Sequence, residues 1–242
     1  MVNLTKFNSI ADQEKFIVVY PQGIGKNWND GRVNEVSQAH QENIDDIAFF
    51  DTLLQHLSSL YPVDAKRIFA TGISNGGIFS HFLAANRAEV IAAIAPVAGG
   101  MAEPFDQSFK PDHAVSVLIV NGTKDRLLPY SGGNVAGNGN KNRGSVLSTE
   151  DTARKWVRAN GCLPEAELRA LPDRDPKDGC HIDATIWRGG RHGSEVWLYR
   201  VEGGGHTWPG GPQYLPKFIV GQVPRDIDTR DIWNFFKDHP KP

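Results

Sequence analysis

The sequence predicts an α/β fold with a largely parallel sheet, and three observations support that fold class. Short apolar, β-branched runs alternate along the chain with segments whose apolar residues recur at helical spacing. Most of these runs are apolar on both faces, as in parallel strands that are covered by helices on each side. One run leads through a glycine-rich turn directly into a helical segment, which is typical of α/β units.

The strand candidates are short and are separated by turn residues or helical segments. In chain order they are residues 16–20, 67–71, 91–97, 116–120 and 195–201. The helix candidates are residues 45–58, 74–86, 149–160 and 229–237. In the first of these helices, Ile47, Phe50, Leu54 and Leu57 form one apolar stripe.

Length and composition predict one domain over residues 1–242 and exclude several kinds of partner. The chain has 242 residues, 40% of them hydrophobic, which suits a single α/β core. Its formal net charge is -2 and no basic stripe interleaved with aromatic residues is present, so we expect no nucleic-acid partner. The longest apolar stretch, residues 90–102, is broken by proline and glycine, and residues 1–6 lack an apolar signal core. We therefore expect neither a membrane span nor an export signal in this chain.

The turn from Thr71 to Gly77 is where a serine nucleophile is expected. Ser74 lies between Gly72 and Gly76 in a G-x-S-x-G pattern, at the junction of a predicted strand and a predicted helix. A serine at such a turn has a strained backbone, and small residues two positions before and after it avoid a collision. The alternative is a serine that only caps the helix. Two further residues in the expected order favour the nucleophile.

Asp125 and His206 are the candidate acid and base. Asp125 follows the strand at 116–120 through a tight turn, and His206 follows the strand at 195–201 after three glycines. Loops beyond the carboxyl ends of parallel strands are where functional groups of such sheets gather. The order Ser74, Asp125, His206 is that of α/β-hydrolases. The alternative for Asp125 is a surface pair with Lys124 or Arg126, and the other seven histidines lie in less favourable settings.

Cys162 and Cys180 are the only cysteines, so they form either one disulfide or two free thiols. The segment between them is rich in proline and charge and is predicted to be a loop, which favours a bridge across it. A bridge would indicate an oxidising compartment. A second loop is predicted at residues 132–144, which are rich in glycine and asparagine; it either shapes the substrate site or is simply solvated.

Several blocks of sequence resemble the polyhydroxybutyrate depolymerase-like esterases, a branch of the α/β-hydrolases that includes feruloyl and acetylxylan esterases. The blocks span most of the chain, and the last, with His206, Thr207, Trp208, Pro209 and Gly210, is the most specific. They are residues 16–23, 28–32, 72–77, 121–125, Trp156 with 161–162, and 203–211. The resemblance implies Ser74 as nucleophile, Asp125 as orienting acid and His206 as general base, and it suggests an extracellular or periplasmic location.

A carboxylic ester hydrolase follows from this resemblance, acting on short-chain, aryl, acetylated-sugar or hydroxyalkanoate esters. The backbone amide of Asn75 would be one oxyanion donor, and the chemistry needs no metal or organic cofactor. Trp28, Tyr130, Trp208 and Tyr214 are candidates to bind substrate, with core packing as the alternative for each. Two other functions remain open: a serine peptidase of the prolyl-oligopeptidase kind, and a hydrolase-fold protein without activity.

The chain also departs from the family in two ways. Family members pair the cysteine that matches Cys162 with one just before the final strand, where this chain has Gly190. They also begin with additional strands, ending in a His-Gly loop that supplies a second oxyanion amide. The chain is therefore expected to be a fragment, to close its sheet differently, or to be completed by another subunit. An open sheet edge would favour self-association, and a missing donor would make a slow esterase.

Overall fold

A six-stranded mixed sheet forms the centre of the molecule, in a computed structural model that describes residues 1–136 and 142–242. Its strands are β1 (Phe69–Ile73), β2 (Ala93–Val97), β3 (Ser116–Gly122), β6 (Glu167–Ala170), β7 (His181–Trp187) and β8 (Val196–Glu202). They lie in the order β1-β2-β3-β8-β7-β6. A separate antiparallel pair joins β4 (Gly133–Asn134) to β5 (Ser145–Val146).

Helices cover both faces of the sheet. The nine α-helices in the described residues are α1 (Val2–Thr5), α2 (Phe7–Glu14), α3 (Gln38–Gln41), α4 (Asp46–Leu60), α5 (Asn75–Asn86), α6 (Glu103–Asp106), α7 (Thr149–Asn160), α8 (Lys217–Val220) and α9 (Thr229–Asp238). Buried residues of α2 and α9 pack on one face with Leu118 and Val120 of β3. Buried residues of α5 and α7 pack on the other with Val117 and Ile119. The alternation of β3 therefore divides the core into two clusters.

The parallel half of the sheet agrees with the sequence-based prediction. β1 pairs with β2, β2 with β3, and β3 with β8, each in parallel. The carboxyl ends of β1, β3 and β8 consequently meet at one edge of the sheet. Residues that directly follow these three strands are brought together there.

The antiparallel half was not predicted. β7 pairs antiparallel with β8, and β6 pairs antiparallel with β7 at the edge. β7 alternates between buried and more exposed residues, and all four residues of β6 are exposed. Their polar outer positions hide the apolar signal of a strand, so the segment between Cys162 and Cys180 reads as a loop although it contains β6.

Residues 16–20 do not pair as a strand, contrary to prediction. Phe16 and Val18 face the core, whereas Ile17 and Val19 are 51% and 41% exposed. β1 is the edge of the sheet on this side, and Trp233 of α9 stacks on Phe16 with ring centroids 3.8 Å apart. The expectation that this edge promotes self-association stays a prediction.

Cys162 and Cys180 are both free, so the predicted bridge is wrong. Cys162 Sγ lies 3.8 Å from the Ser194 carbonyl, just before β8, whereas Cys180 precedes His181, which pairs with Glu202 at the far end of β8. The two thiols also pack in different core clusters, on opposite faces of the sheet. A Cβ placed on Gly190 would lie 3.0 Å from Cys162 Sγ, so Gly190 does face this cysteine.

The glycine-rich stretch 132–144 is only partly described, since residues 137–141 lie outside the described part of the chain. Its described ends are not purely loop, because Gly133–Asn134 pairs with Ser145–Val146. No helix within residues 1–136 and 142–242 is both long and apolar enough to cross a membrane.

Candidate active site

Ser74 lies between the end of β1 and the start of α5, with φ 59° and ψ -123°. Positive φ is rare for a residue with a side chain, so the predicted backbone strain at this turn is confirmed. The Ser74 amide donates a hydrogen bond of 3.0 Å to the Val97 carbonyl, which ties the turn to β2. The side chain is half-buried and remains accessible from outside.

Two of the three glycines at this turn are required by close packing. A Cβ on Gly72 would lie 2.6 Å from the carbonyl carbon of Gly76, and one on Gly77 would lie 2.8 Å from the Val97 carbonyl oxygen. A Cβ on Gly76 would meet nothing within 4 Å. The expectation that Gly76 must be small is therefore not supported by its own surroundings. Gly72 makes the close approach possible from the strand side.

Asp125 and His206 form a buried hydrogen-bonded pair. His206 Nδ1 lies 2.7 Å from Asp125 Oδ2, and the two residues are 4% and 7% exposed. The other carboxylate oxygen, Asp125 Oδ1, accepts hydrogen bonds of 2.8 Å from the backbone amides of Leu127 and Leu128. With Nδ1 facing the carboxylate, the proton of the neutral ring sits on Nδ1 and Nε2 is left as an acceptor.

The loop of His206 is fixed through its backbone. The His206 amide donates to the Val220 carbonyl over 2.6 Å, and the Tyr214 hydroxyl donates to the His206 carbonyl over 2.6 Å. A Cβ on Gly205 would collide with the backbone of Val220 and Gly221. The absence of a side chain at Gly205 thus lets the two loops approach each other.

Ser74, Asp125 and His206 all follow parallel strands and lie at the same carboxyl edge of the sheet. Among the hydrogen bonds between described residues, that of His206 Nδ1 to Asp125 is present, whereas none joins Ser74 Oγ to His206. Such contacts are often long in unliganded enzymes and tighten when substrate binds. A serine with a strained backbone and a buried acid–base pair therefore lie together at the carboxyl ends of the parallel strands.

Asn75 is the first residue of α5, so its backbone N–H is among the four that have no acceptor within the helix. The positive end of the helix dipole adds to its attraction for an anion. Its side chain is held by Trp28 and Asp30, a feature that sequence reasoning missed. The only signal for it was the similarity of residues 28–32 to a family block.

The four aromatic candidates have different surroundings. Trp28 is half-buried, with its ring stacked 5.1 Å from that of Phe79, and Tyr130 is half-buried beneath the Arg200 guanidinium. Tyr214 contacts the backbone of His206, as described above. Trp208 is a core residue, because it is 1% exposed and its indole N–H donates to Thr229 Oγ1. The expectation that Trp208 binds substrate is wrong.

His81 lies behind the nucleophile on α5. The Trp156 indole N–H donates to His81 Nδ1 over 2.9 Å, and the imidazole is fully buried. Burial lowers the pKa of His81 to about 3, because the charged ring would lose its hydration. His81 is therefore a neutral structural residue. This agrees with the sequence-based expectation that His81 is not the catalytic base.

The relatives of the chain include proteins named as esterases. The chain is 28% identical over 229 residues to NocK of Nocardia uniformis subsp. tsuyamanensis, provisionally named an esterase, covering 93% of this chain and 65% of that protein. It is 29% identical over 165 residues to feruloyl esterase B of Piromyces equi, covering 67% of this chain and 29% of that protein. It is 23% identical over 234 residues to the bifunctional acetylxylan esterase/xylanase XynS20E of Neocallimastix patriciarum, covering 96% of this chain and 28% of that protein. The chain thus spans less than two thirds of each relative.

Among solved structures, an acetyl xylan esterase from Aspergillus awamori has a similar fold. Its TM-score is 0.58 over 96% of this chain and 81% of that chain, with 16% sequence identity. At this identity the similarity shows the fold alone, and it confirms the predicted α/β-hydrolase fold. No family model matches the chain.

The predicted resemblance is therefore confirmed for feruloyl and acetylxylan esterases, while that to polyhydroxybutyrate depolymerases stays a prediction. Similarity over nearly the whole chain, on a shared fold, is what carries this conclusion. The chain therefore has an α/β-hydrolase fold, and its sequence is similar to feruloyl and acetylxylan esterases.

Proposed function

We propose that this chain is a carboxylic ester hydrolase that works through an acyl-enzyme on Ser74. The observation that carries the proposal is the buried pair of His206 and Asp125 at the same sheet edge as the strained Ser74. A nucleophile, a base and an acid that orients the base are the three groups that this chemistry needs. The esterase names of the relatives support the same reaction class.

In the proposed reaction, His206 Nε2 accepts the proton of Ser74 Oγ while Oγ attacks the ester carbonyl carbon. Asp125 stabilises the resulting imidazolium and keeps Nδ1 protonated throughout. The carbonyl oxygen becomes an oxyanion, which the Asn75 backbone N–H and the amino end of α5 stabilise. His206 then returns the proton to the leaving alcohol. Water attacks the acyl-enzyme by the same route and releases the carboxylic acid.

The substrate class we propose is an aryl or acetyl ester of a carbohydrate. This follows the names of two relatives, a feruloyl esterase and an acetylxylan esterase, at 29% and 23% identity. Two of the aromatic candidates adjoin the proposed site: the Trp28 backbone bonds to the Asn75 side chain, and the Tyr214 hydroxyl donates to the His206 carbonyl. An aromatic acyl group would find its apolar contacts there.

Turnover of a panel of substrates tests this proposal. We expect hydrolysis of p-nitrophenyl acetate and methyl ferulate, and no release of p-nitroaniline from a prolyl peptide anilide. Cleavage of the anilide alone would indicate a peptidase, and no turnover of any ester would indicate a protein without this activity.

A further inference from the structure

The side chain of Asn75 is used entirely within the protein. Its Nδ2 donates to the Trp28 carbonyl over 2.9 Å and to Asp30 Oδ2 over 2.6 Å, and its Oδ1 accepts from the Trp28 amide over 2.7 Å. Both amide hydrogens are therefore committed, and the side chain has no hydrogen left to donate to a substrate. Its role is to join the first turn of α5 to residues 28–30, which lie far away in the sequence.

Asp30 is the centre of a buried ionic cluster that consists of Asp30, Arg32 and His40, here called the Asp30 cluster. The Asp30 side chain is fully buried, and its carboxylate accepts from Arg32 Nη2 over 2.7 Å and contacts His40 Nε2 at 2.9 Å. Burial alone would raise the pKa of Asp30, but the hydrogen bond from His40 and the charge of Arg32 outweigh it and hold that pKa below its usual range. Asp30 is consequently a carboxylate at neutral pH.

Burying such a cluster costs free energy even when every group has a partner, so ion pairs of this kind are poor evidence for a gain in stability. What the cluster does provide is one defined position for the Asp30 carboxylate. Arg32 also joins the cluster to a segment that is distant in sequence, because its Nη1 donates a hydrogen bond to the Arg143 carbonyl over 3.0 Å.

The segment that carries Asp30 is also fixed independently. The Asn29 amide donates to Asp46 Oδ2 over 2.7 Å, at the start of α4, and the Asn29 side chain donates to the Ile44 carbonyl over 3.0 Å. The Trp28 ring stacks on Phe79 of α5 itself. The partners of the Asn75 side chain are thus held by two helices and by buried charge.

We propose that the Asp30 cluster positions the oxyanion hole: Asp30, acting through the Asn75 side chain, fixes the direction of the Asn75 backbone N–H. The inference rests on the proposed function, in which that N–H stabilises the oxyanion. The adjacent Ser74 has a strained backbone, and strain of this kind persists only where the surroundings enforce it. Asp30 and Asn75 are positioning residues in this account, because their side chains act through another group.

The expected signature is a loss in kcat with little change in KM, since the oxyanion exists only in the transition state and the intermediate. Complete loss of one oxyanion donor lowers kcat on the order of 100- to 1,000-fold. A donor that is still present but misdirected should cost less, roughly 10- to 100-fold. Binding of a boronic acid, which forms a tetrahedral adduct with the serine, should weaken in parallel with kcat/KM.

The test compares Asp30→Asn, Asn75→Ala and the double variant with the wild type, using p-nitrophenyl acetate turnover, phenylboronic acid inhibition and thermal melting. Asn75→Ala keeps the backbone N–H and removes no buried charge, so it should fold and still lose kcat roughly 10- to 100-fold. If Asp30 acts through Asn75, the double variant should be no slower than Asn75→Ala. Asp226→Asn is the matched control, since it alters another buried carboxylate, one that accepts from the Arg174 amide and lies outside the Asp30 cluster; its kcat should stay within about threefold of the wild type.

Three results would overturn the proposal while leaving the esterase intact. They are a folded Asn75→Ala with the wild-type kcat, a rise in KM at constant kcat, and losses for Asp30→Asn and Asn75→Ala that multiply in the double variant. A wild type that neither hydrolyses esters nor reacts with a fluorophosphonate would instead overturn the proposed function, and this inference with it.

Discussion

The nucleophile and the base of the proposed site are held in place by different kinds of interaction. Ser74 and Asn75 depend on partners far away in the sequence: the Val97 carbonyl, the Trp28 backbone and the buried Asp30. The loop of His206 is held by neutral groups of neighbouring loops, the Val220 carbonyl and the Tyr214 hydroxyl, while its ring pairs with Asp125. Asp125 likewise accepts from amides only two and three residues ahead of it.

This difference indicates which part of the site is sensitive to the protonation of buried groups. Buried charges and a buried imidazole support the nucleophile, so its position is coupled to the ionisation of the core. The loop that carries the base is held by neutral hydrogen bonds, which do not titrate. Changes on the nucleophile side are therefore expected to affect both chemistry and acid stability, whereas changes to the hydrogen bonds that hold the His206 loop should affect chemistry alone.

The largest effect is expected for Ser74→Ala. Removing the nucleophile should lower kcat by at least about 10,000-fold and abolish labelling by a fluorophosphonate probe, because no acyl-enzyme can form. The melting temperature should not fall, since the strained turn loses only a half-buried hydroxyl. Ser80→Ala on the same helix is the control and should keep both labelling and turnover. Labelling of the Ser74 variant at the wild-type rate would show that another residue is the nucleophile.

Asp125→Asn should be the next most severe change. The amide oxygen can still accept from Leu127 and Leu128, so the loop should keep its shape. The amide nitrogen, however, would donate to His206 Nδ1 and force the proton onto Nε2, where it blocks acceptance from serine. We expect kcat to fall on the order of 1,000- to 10,000-fold with an unchanged KM.

Asp178→Asn is the control for Asp125→Asn, because Asp178 also accepts from two backbone amides, those of Cys180 and Arg225, but lies outside the proposed site. Its effect should appear in the melting temperature rather than in kcat. Equal losses of kcat in the two variants would contradict the orienting role of Asp125.

His81→Asn should change how stability depends on pH. In the folded protein the pKa of His81 is about 3, while in the unfolded chain it is near 6.5, so only the unfolded state binds this proton between those values. The free energy of unfolding should therefore decrease as the pH falls from 6.5, by up to about 1.4 kcal/mol per pH unit. The asparagine oxygen can accept from Trp156 and does not titrate, so this slope should be reduced in the variant.

Thermal melts of the wild type and His81→Asn between pH 7 and 4.5 measure this slope. The variant should be less stable at pH 7, because a packed ring is lost, yet its melting temperature should fall less in acid. His56→Asn, on the exposed face of α4, should leave the slope as in the wild type. Identical slopes for His81→Asn and the wild type would show that this buried imidazole does not control acid stability.

The smallest effect is expected for Tyr214→Phe. The change removes one neutral hydrogen bond to the His206 carbonyl, of a kind that contributes about 0.5–1.5 kcal/mol. Burial raises the pKa of Tyr214 to about 12, so the hydroxyl stays a donor across the assay range. We expect a loss in kcat of roughly 2- to 10-fold and no change in acid stability. If this variant changes the pH dependence of the melting temperature, the loop of His206 also contributes to acid stability, and the proposed difference between the nucleophile and the base is wrong.

Most of the parallel half of the molecule could be predicted from the sequence. The segments that became β1, β2, β3 and β8 are mostly apolar, and the helix over residues 149–160 was predicted with its observed bounds. Runs of this kind have few other ways to be buried. β6 and β7 were missed because alternating and exposed residues carry no such pattern. Residues 16–20 were predicted as a strand because they are apolar. Apolar content predicts that a segment packs on the core, but a strand also needs a neighbouring strand to pair with.

The sequence by itself determined the fold class, the order of the three candidate catalytic residues and the turn that strains Ser74. Each depends on local spacing or on residue types whose chemistry is intrinsic, such as glycine at position 72. Only the tertiary structure decided that Cys162 and Cys180 are separated by the sheet, that Trp208 belongs to the core, and that Asp30 reaches Asn75. These are contacts between residues distant in sequence, and their existence depends on how the chain closes around both faces of the sheet.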